Sequence, residues 1–161
     1  SRATSSSARE RRYRGPMSAV TTTLYTPQIL ALAVELADFP LASGAPFVAE
    51  IGAQPCGSRI AIGLYQDEDG TVSEVGARVR ACAIGQAAAA LFLRGAKGRN
   101  YHDIAEALAA LKDWLTDRGP TPDWPNIAIL EAARPYAARH DAILLPWKAA
   151  LAALPNPAVT N

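Results

Sequence analysis

The 161-residue sequence has two cysteines, two histidines and one methionine, and no apolar run near the ~20 residues needed to cross a bilayer. Its most hydrophobic stretch, Ala81 to Leu93, is interrupted by Gly85 and Gln86 and stops at Arg94. A membrane partner is therefore not expected. Two cysteines cannot build a disulfide framework, and residues 1–16 lack the apolar segment of a secretory signal, so the expected compartment is reducing and cytoplasmic. Paired catalytic carboxylates, a nucleophile elbow and a phosphate loop are all missing, which speaks against the common enzyme classes.

Charge is also scarce, at 19% of residues and +1 net. It is unevenly spread: five arginines against Glu10 give residues 1–16 a charge of +4, which leaves −3 for residues 17–161. A mildly acidic domain lacks the basic face that broad nucleic-acid binding requires, so nucleic acid is not an expected partner. The Arg- and Ser-rich start has the composition of a transit peptide or of a disordered leader before an alternative start at Met17, and the leader is preferred. The expected organisation is a leader over 1–23, one domain over 24–154 and a disordered tail over 155–161.

What is present is strongly patterned. Thr26-Pro27 provides a helix cap with proline at the first helical position, and Ile29, Leu30, Leu32, Ala33 and Leu36 follow at helical spacing up to Phe39-Pro40. Two alternating runs, Pro46 to Gly52 and Arg59 to Tyr65, read as strands. Asp69-Gly70 marks a hairpin into a third strand through Val72, Val75, Ala77, Val79 and Ala81, with a bulge expected at Gly76. Helices are expected over Ala83 to Arg94, Tyr101 to about Thr116, Ile127 to Ala133, and Tyr136 to Leu154, the last kinked or divided at Pro146. The fold class is α+β: a three-stranded antiparallel sheet with helices packed on one face.

Chemistry concentrates at two points. Cys56 stands in Gln54-Pro55-Cys56-Gly57-Ser58 between the first two strands, and Cys82 stands where the third strand becomes a helix. A thiol at a helix start faces unpaired backbone N–H groups and the positive end of the dipole, a setting that suits metal binding and persulfide chemistry. Because the strands are neighbours, both thiols can meet at one end of the sheet; the alternative is that both are small apolar fillers. Three other groupings have ordinary readings. Asp67-Glu68-Asp69 before Gly70 is a solvated turn rather than a calcium loop. Arg94, Lys97 and Arg99 solvate a helix exit, and His102 lies in a helix's first turn. Trp114, Trp124 and Trp147 read as core and linker anchors.

These segments resemble the U-type iron-sulfur cluster assembly scaffolds, a family that includes the NifU N-terminal domain, IscU and SufU. Pro55-Cys56-Gly57-Ser58-Arg59 matches the loop of the family's first cysteine, and Ala81-Cys82-Ala83-Ile84-Gly85-Gln86-Ala87-Ala88-Ala89 matches its second. The run from Pro135 through Arg139, Leu144 and Leu145 to Trp147 looks like the C-terminal run of SufU. The long helical stretch before it makes the chain more similar to SufU than to the shorter IscU. The resemblance spans about residues 24–154. Two positions depart from it: Ala142 stands where the third cysteine belongs, and Ser58 where the family has aspartate.

The resemblance implies an IscU/SufU-like fold and a scaffold that binds iron or a labile iron-sulfur cluster. The catalysis belongs to a cysteine desulfurase that supplies sulfur, and the cluster passes to apo iron-sulfur acceptor proteins. The implied ligands are Cys56, Cys82 and Asp141, with Ser58 and His140 as further donors. Zinc is the alternative metal, in a SufU-like sulfurtransferase. The other alternative is a degenerate, metal-free interaction module with no cofactor.

Overall fold

The computed structural model describes residues 24–54 and 57–157; the leader expected over 1–23 and Cys56 lie outside them, as do residues 158–161. Helix α1, Pro27–Glu35, begins where Thr26 accepts from the Ile29 amide at 3.2 Å, with Pro27 in the first turn. A 3-10 turn, Leu36–Asp38, carries the chain to Phe39. Phe39 leaves the helical region, as a residue before proline tends to.

Three strands follow in the order β1 (Phe47–Ala53), β2 (Ser58–Gln66) and β3 (Val72–Arg80), paired antiparallel as a meander. Ile60, Ile62 and Leu64 of β2 alternate onto the inner face and are fully buried. Val79, Ala77 and Val75 lie opposite them on β3, and Ile51, Ala49 and Phe47 on β1. The helices cover this face, so the architecture is the α+β arrangement expected.

The bulge is displaced from its expected place. Gly76 pairs in regular register with Gly63, and the irregularity lies between Tyr65 and Gln66, where Ser73 is the extra residue near the hairpin. Gly76 marks a close backbone approach instead. A Cβ there would collide with the Pro40 carbonyl, and a Cβ on Gly63 would sit 2.8 Å from Leu41 Cδ1. The two glycines thus form a slot for the segment from Phe39 to Ala45, and the Ala77 amide donates to the Phe39 carbonyl across it at 2.9 Å. At the hairpin tip Gly70 has φ +87°, and the Asp69 carboxylate accepts from the Thr71 hydroxyl at 2.7 Å and the Thr71 amide at 3.0 Å. These bonds, the hydroxyl's first, hold the Asp69 pKa below its ordinary value.

Helix α2, Ala83–Gly95, is the centre of the core, with Ile84, Gly85 and Ala87 to Leu93 all buried. Helix α3, Tyr101–Leu115, starts on a reciprocal cap in which Asn100 accepts from the Asp103 amide at 2.8 Å and Asp103 from the Asn100 amide at 3.1 Å. The proline-rich linker is then anchored by Trp124, whose Nε1 donates to the Leu91 carbonyl at 2.8 Å. Phe92, Trp124 and Trp147 form a mutual cluster with each pair of ring centroids 5.3 Å apart.

The expected helix over Ile127–Ala133 is a 3-10 segment. It starts from Asn126 in the left-handed region without a side-chain cap, and is too short to establish α-helical bonding well. The last helix also differs. A 3-10 turn, Ala137–Arg139, leads into α4, His140–Ala153, which runs undivided through Pro146. Proline removes one amide, so the helical partner of the Ala142 carbonyl is lost, but Pro146 is buried and the flanking packing sustains the helix.

Two consequences are measurable by urea denaturation. Gly76→Ala is expected to lose about 2 to 3 kcal/mol, because the Pro40 carbonyl cannot retreat without breaking the Ala77–Phe39 bond. Asp69→Asn tests the hairpin. A lowered carboxylate pKa contributes stability above the unfolded value that disappears as pH falls through the folded value. Wild type should therefore exceed the variant at neutral pH, and the gap should close as pH falls through the lowered carboxylate pKa.

Candidate functional site

The turn from β3 into α2 is built by short bonds. Cys82 is the N-cap residue with extended backbone, φ −65° and ψ 170°, and its carbonyl accepts from the Gln86 amide at 2.9 Å. The Gln86 side chain reaches back to donate to the Ala81 carbonyl at 2.9 Å. Cys82 is a free, half-buried thiol fixed at the start of the most buried helix.

The first turn of α4 lies against this point because Gly85 has no side chain. A Cβ there would be 2.8 Å from the Ala81 Cβ and 3.4 Å from the Ala142 Cβ. On the other side, the Gly57 amide donates to the Ala53 carbonyl at 3.1 Å, with Gly57 at φ +79°, and the chain enters β2 at the buried Ser58. The three segments enclose a cavity of about 230 Å³ lined by Gly57, Ser58, Arg80, Ala81, Cys82, Ala138, Arg139 and Ala142.

The residues implied by the sequence are therefore distributed unequally. Ser58 and Cys82 share the cavity with Ala142, the residue to which the sequence resemblance assigns the place of a third cysteine. Asp141 is exposed on the first turn of α4 and is not among the residues lining the cavity. His140 Nε2 lies 2.7 Å from the Arg134 carbonyl, within a network in which Arg134 donates to the Trp114 carbonyl and pairs with Asp117. Cys56 belongs to the residues outside the description. Among the described residues, no group of three His, Cys, Asp or Glu side chains is placed to hold a metal ion.

Arg80 and Arg139 were not anticipated in the site. Both line the cavity beside Cys82, and the Arg139 guanidinium also lies 3.4 Å from the Tyr25 hydroxyl. Their signal in the sequence is only nearness, Arg80 preceding Cys82 by two positions and Arg139 preceding Ala142 by three.

The other groupings have structural roles. Arg94 pairs with Glu35 at 3.6 Å and Lys97 with Glu74 at 3.7 Å. Arg99 donates to the Gly95 carbonyl at 2.8 Å and lies over the Trp124 ring. His102 Nε2 lies 3.1 Å from the Glu106 carboxylate one turn on. Among the described residues no helix is long and apolar enough to cross a membrane.

Comparison with known proteins places this arrangement. No family model matches the chain, and no curated protein matches it. Solved structures do. The crystal structure of a nitrogen-fixing NifU-like protein (N-terminal) from Brucella abortus superposes with a TM-score of 0.75 at 26% identity, over 83% of this chain and 94% of that one. A protein from the thermophile Fervidobacterium islandicum AW-1, assigned as an iron-sulfur cluster assembly scaffold for the SUF system, gives a TM-score of 0.74 at 20% identity, over 82% and 97% of the two chains. In fold the chain resembles the U-type iron-sulfur cluster assembly scaffold family.

Proposed function

We propose that the chain is a U-type scaffold-like carrier whose cargo is iron or a labile iron-sulfur cluster. One observation supports this above the others: Cys82, Ser58 and the Ala142 position meet at one cavity, on a fold shared with a SUF-system protein assigned as a scaffold. In this reading Cys56 and Cys82 supply thiolates, and Asp141 supplies an oxygen donor, with Ser58 and His140 as further donors. A cysteine desulfurase delivers sulfur, and an apo iron-sulfur protein accepts the product. The protein carries and does not catalyse, and it works in the cytoplasm.

The donor chemistry favours transient holding. Thiolates bind iron and zinc strongly at ~2.3 Å, and a retained site generally uses four protein ligands. With Ala142 in place of a third cysteine, the chain offers two thiols and weaker oxygen or nitrogen donors. Such a set releases its cargo readily. The same alanine favours a second reading, a metal-free interaction module that keeps the fold without the ligand set. Zinc held by these donors, with persulfide exchange at a cysteine, is the third.

Anaerobic reconstitution with ferrous iron, L-cysteine, a cysteine desulfurase and dithiothreitol as the reductant that releases persulfide sulfur as sulfide, followed by visible spectroscopy, tests the carrier reading. A sulfur-to-iron chromophore is expected in wild type and absent from Cys82→Ser. Ala142→Cys is expected to hold the iron about tenfold more tightly or better against a chelator, since it adds a thiol at the same cavity. No chromophore at any iron load, in wild type and in Ala142→Cys alike, would overturn the carrier reading in favour of the metal-free module. Zinc bound stoichiometrically after purification without chelator, with sulfur transferred to Cys82, would support the sulfurtransferase instead.

A further inference from the structure

The pleat sends alternate residues of the sheet away from the core, and on this outer face the positive charge is concentrated. Arg59 and Arg80 are direct cross-strand partners, and Arg78 lies opposite Ala61, one pleat further along. All three arginines are exposed. Among the described residues Glu50 is the one carboxylate on this part of the face, 3.3 Å from Arg59 Nε, with both side chains about half exposed, at 51% and 52%. The side chains of Arg78 and Arg80 have no hydrogen bond or ion pair among the described residues. Between the arginines Ala61 forms the floor of a hollow of about 430 Å³, whose rim is Glu50, Arg59, Arg78, Val79 and Arg80.

Like charges directly opposite one another in an antiparallel pair destabilise it. The Arg59–Arg80 pairing carries that cost, and one half-exposed carboxylate offsets only part of it. Carboxylates from outside would offset the rest, because a guanidinium binds a carboxylate through two parallel hydrogen bonds. The concentration is local, since residues 17–161 together carry −3. A long polyanion such as nucleic acid would run beyond the hollow onto a repelling surface, whereas a short acidic segment fits within it. The chain's own residues 1–16 are excluded as occupant by their +4 charge. Arg80 also lines the cavity that holds Cys82, so whatever sits on this face sits beside the thiol.

We propose that the outer sheet face around Arg59, Arg78 and Arg80 docks an acidic segment of a partner protein and thereby seats that partner beside Cys82. The inference uses charge and geometry only and is independent of metal binding. It is tested on the metal-free full chain with fluorescein-labelled octaglutamate, read by anisotropy, with octaglutamine and oligothymidylate of equal length as comparators. Octaglutamate is expected to bind in a salt-sensitive way, with amide shifts centred on β2 and β3. The double reversal Arg78→Glu, Arg80→Glu should weaken it by about tenfold or more, while Arg118→Glu on α3's far exit should leave it nearly unchanged. Thermal melting should show the double variant folded, at an unchanged or higher Tm because the like-charge opposition has gone. Equal binding by the double variant, shifts confined to other elements, or no binding at all would overturn the proposal. Oligothymidylate binding as tightly and lost in the same variant would overturn the assignment to an acidic protein.

Discussion

Burial of α2 is the constraint on which the rest of the structure depends. A helix apolar on every side belongs in the middle of a domain, and this one is buried continuously from Ala87 to Leu93. Its alanines contribute little surface each, so it is held by close approach rather than by large side chains. Gly85 admits Ala81 and Ala142 at one end, and Gly95 admits Trp124, whose Nε1 would lie 2.6 Å from a Cβ there, at the other. Both ends are thereby fixed, and fixing the N-terminal end fixes Cys82. The position of the thiol is a consequence of core packing, since among the described residues no side-chain capping bond of its own holds it.

The sheet divides its two faces between two tasks. The inner face is an unbroken apolar surface under the helices. The outer face is half covered, where Gly63 and Gly76 receive the segment from Phe39 to Ala45, and half open, where Arg59, Arg78 and Arg80 surround Ala61. The small residues at Gly63 and Ala61 lie on the same strand and serve opposite ends: one admits the chain's own backbone, and the other leaves a shallow floor. The open half adjoins the cysteine turn because Arg80 is the last residue of β3 and belongs to both hollows.

Local signals carried the fold well where the physics is local. The Thr26-Pro27 cap, the Asp69-Gly70 hairpin and the Asn100 cap each depend on residues within one turn, and each lies where the sequence places it. Gly76 was misread as a bulge because a glycine in a strand has two uses, and the backbone that crosses it comes from Phe39 and Pro40, far away in the chain. Of the kink or division expected at Pro146, division does not occur, because intrinsic helix breaking is a preference of the isolated segment, which burial overrides. At the site, Cys82 was legible as a strand-to-helix residue, while Arg80 and Arg139 were not, since a surface arginine has no sequence pattern that separates solvation from a role. Asp141 and Ala142 are successive residues of α4, about 100° apart around the helix, and Ala142 is the one that lines the cavity.

Fold and donor set can vary independently in such a molecule, and the packing around α4 explains why. Ala142 is buried against the Gly85 position, and its Cβ is the part that makes this contact. A cysteine has the same Cβ and extends beyond it by one sulfur, toward a cavity with room for it. Exchange between the two residues therefore leaves the helix contacts, and with them the fold, intact, while it changes the number of thiolates by one. The Cβ contact preserves architecture, and the atom beyond it changes only what lines the cavity. The chemistry open to the 230 Å³ cavity is accordingly set by which side chains reach it, and Cys82 is the thiol that core packing holds there.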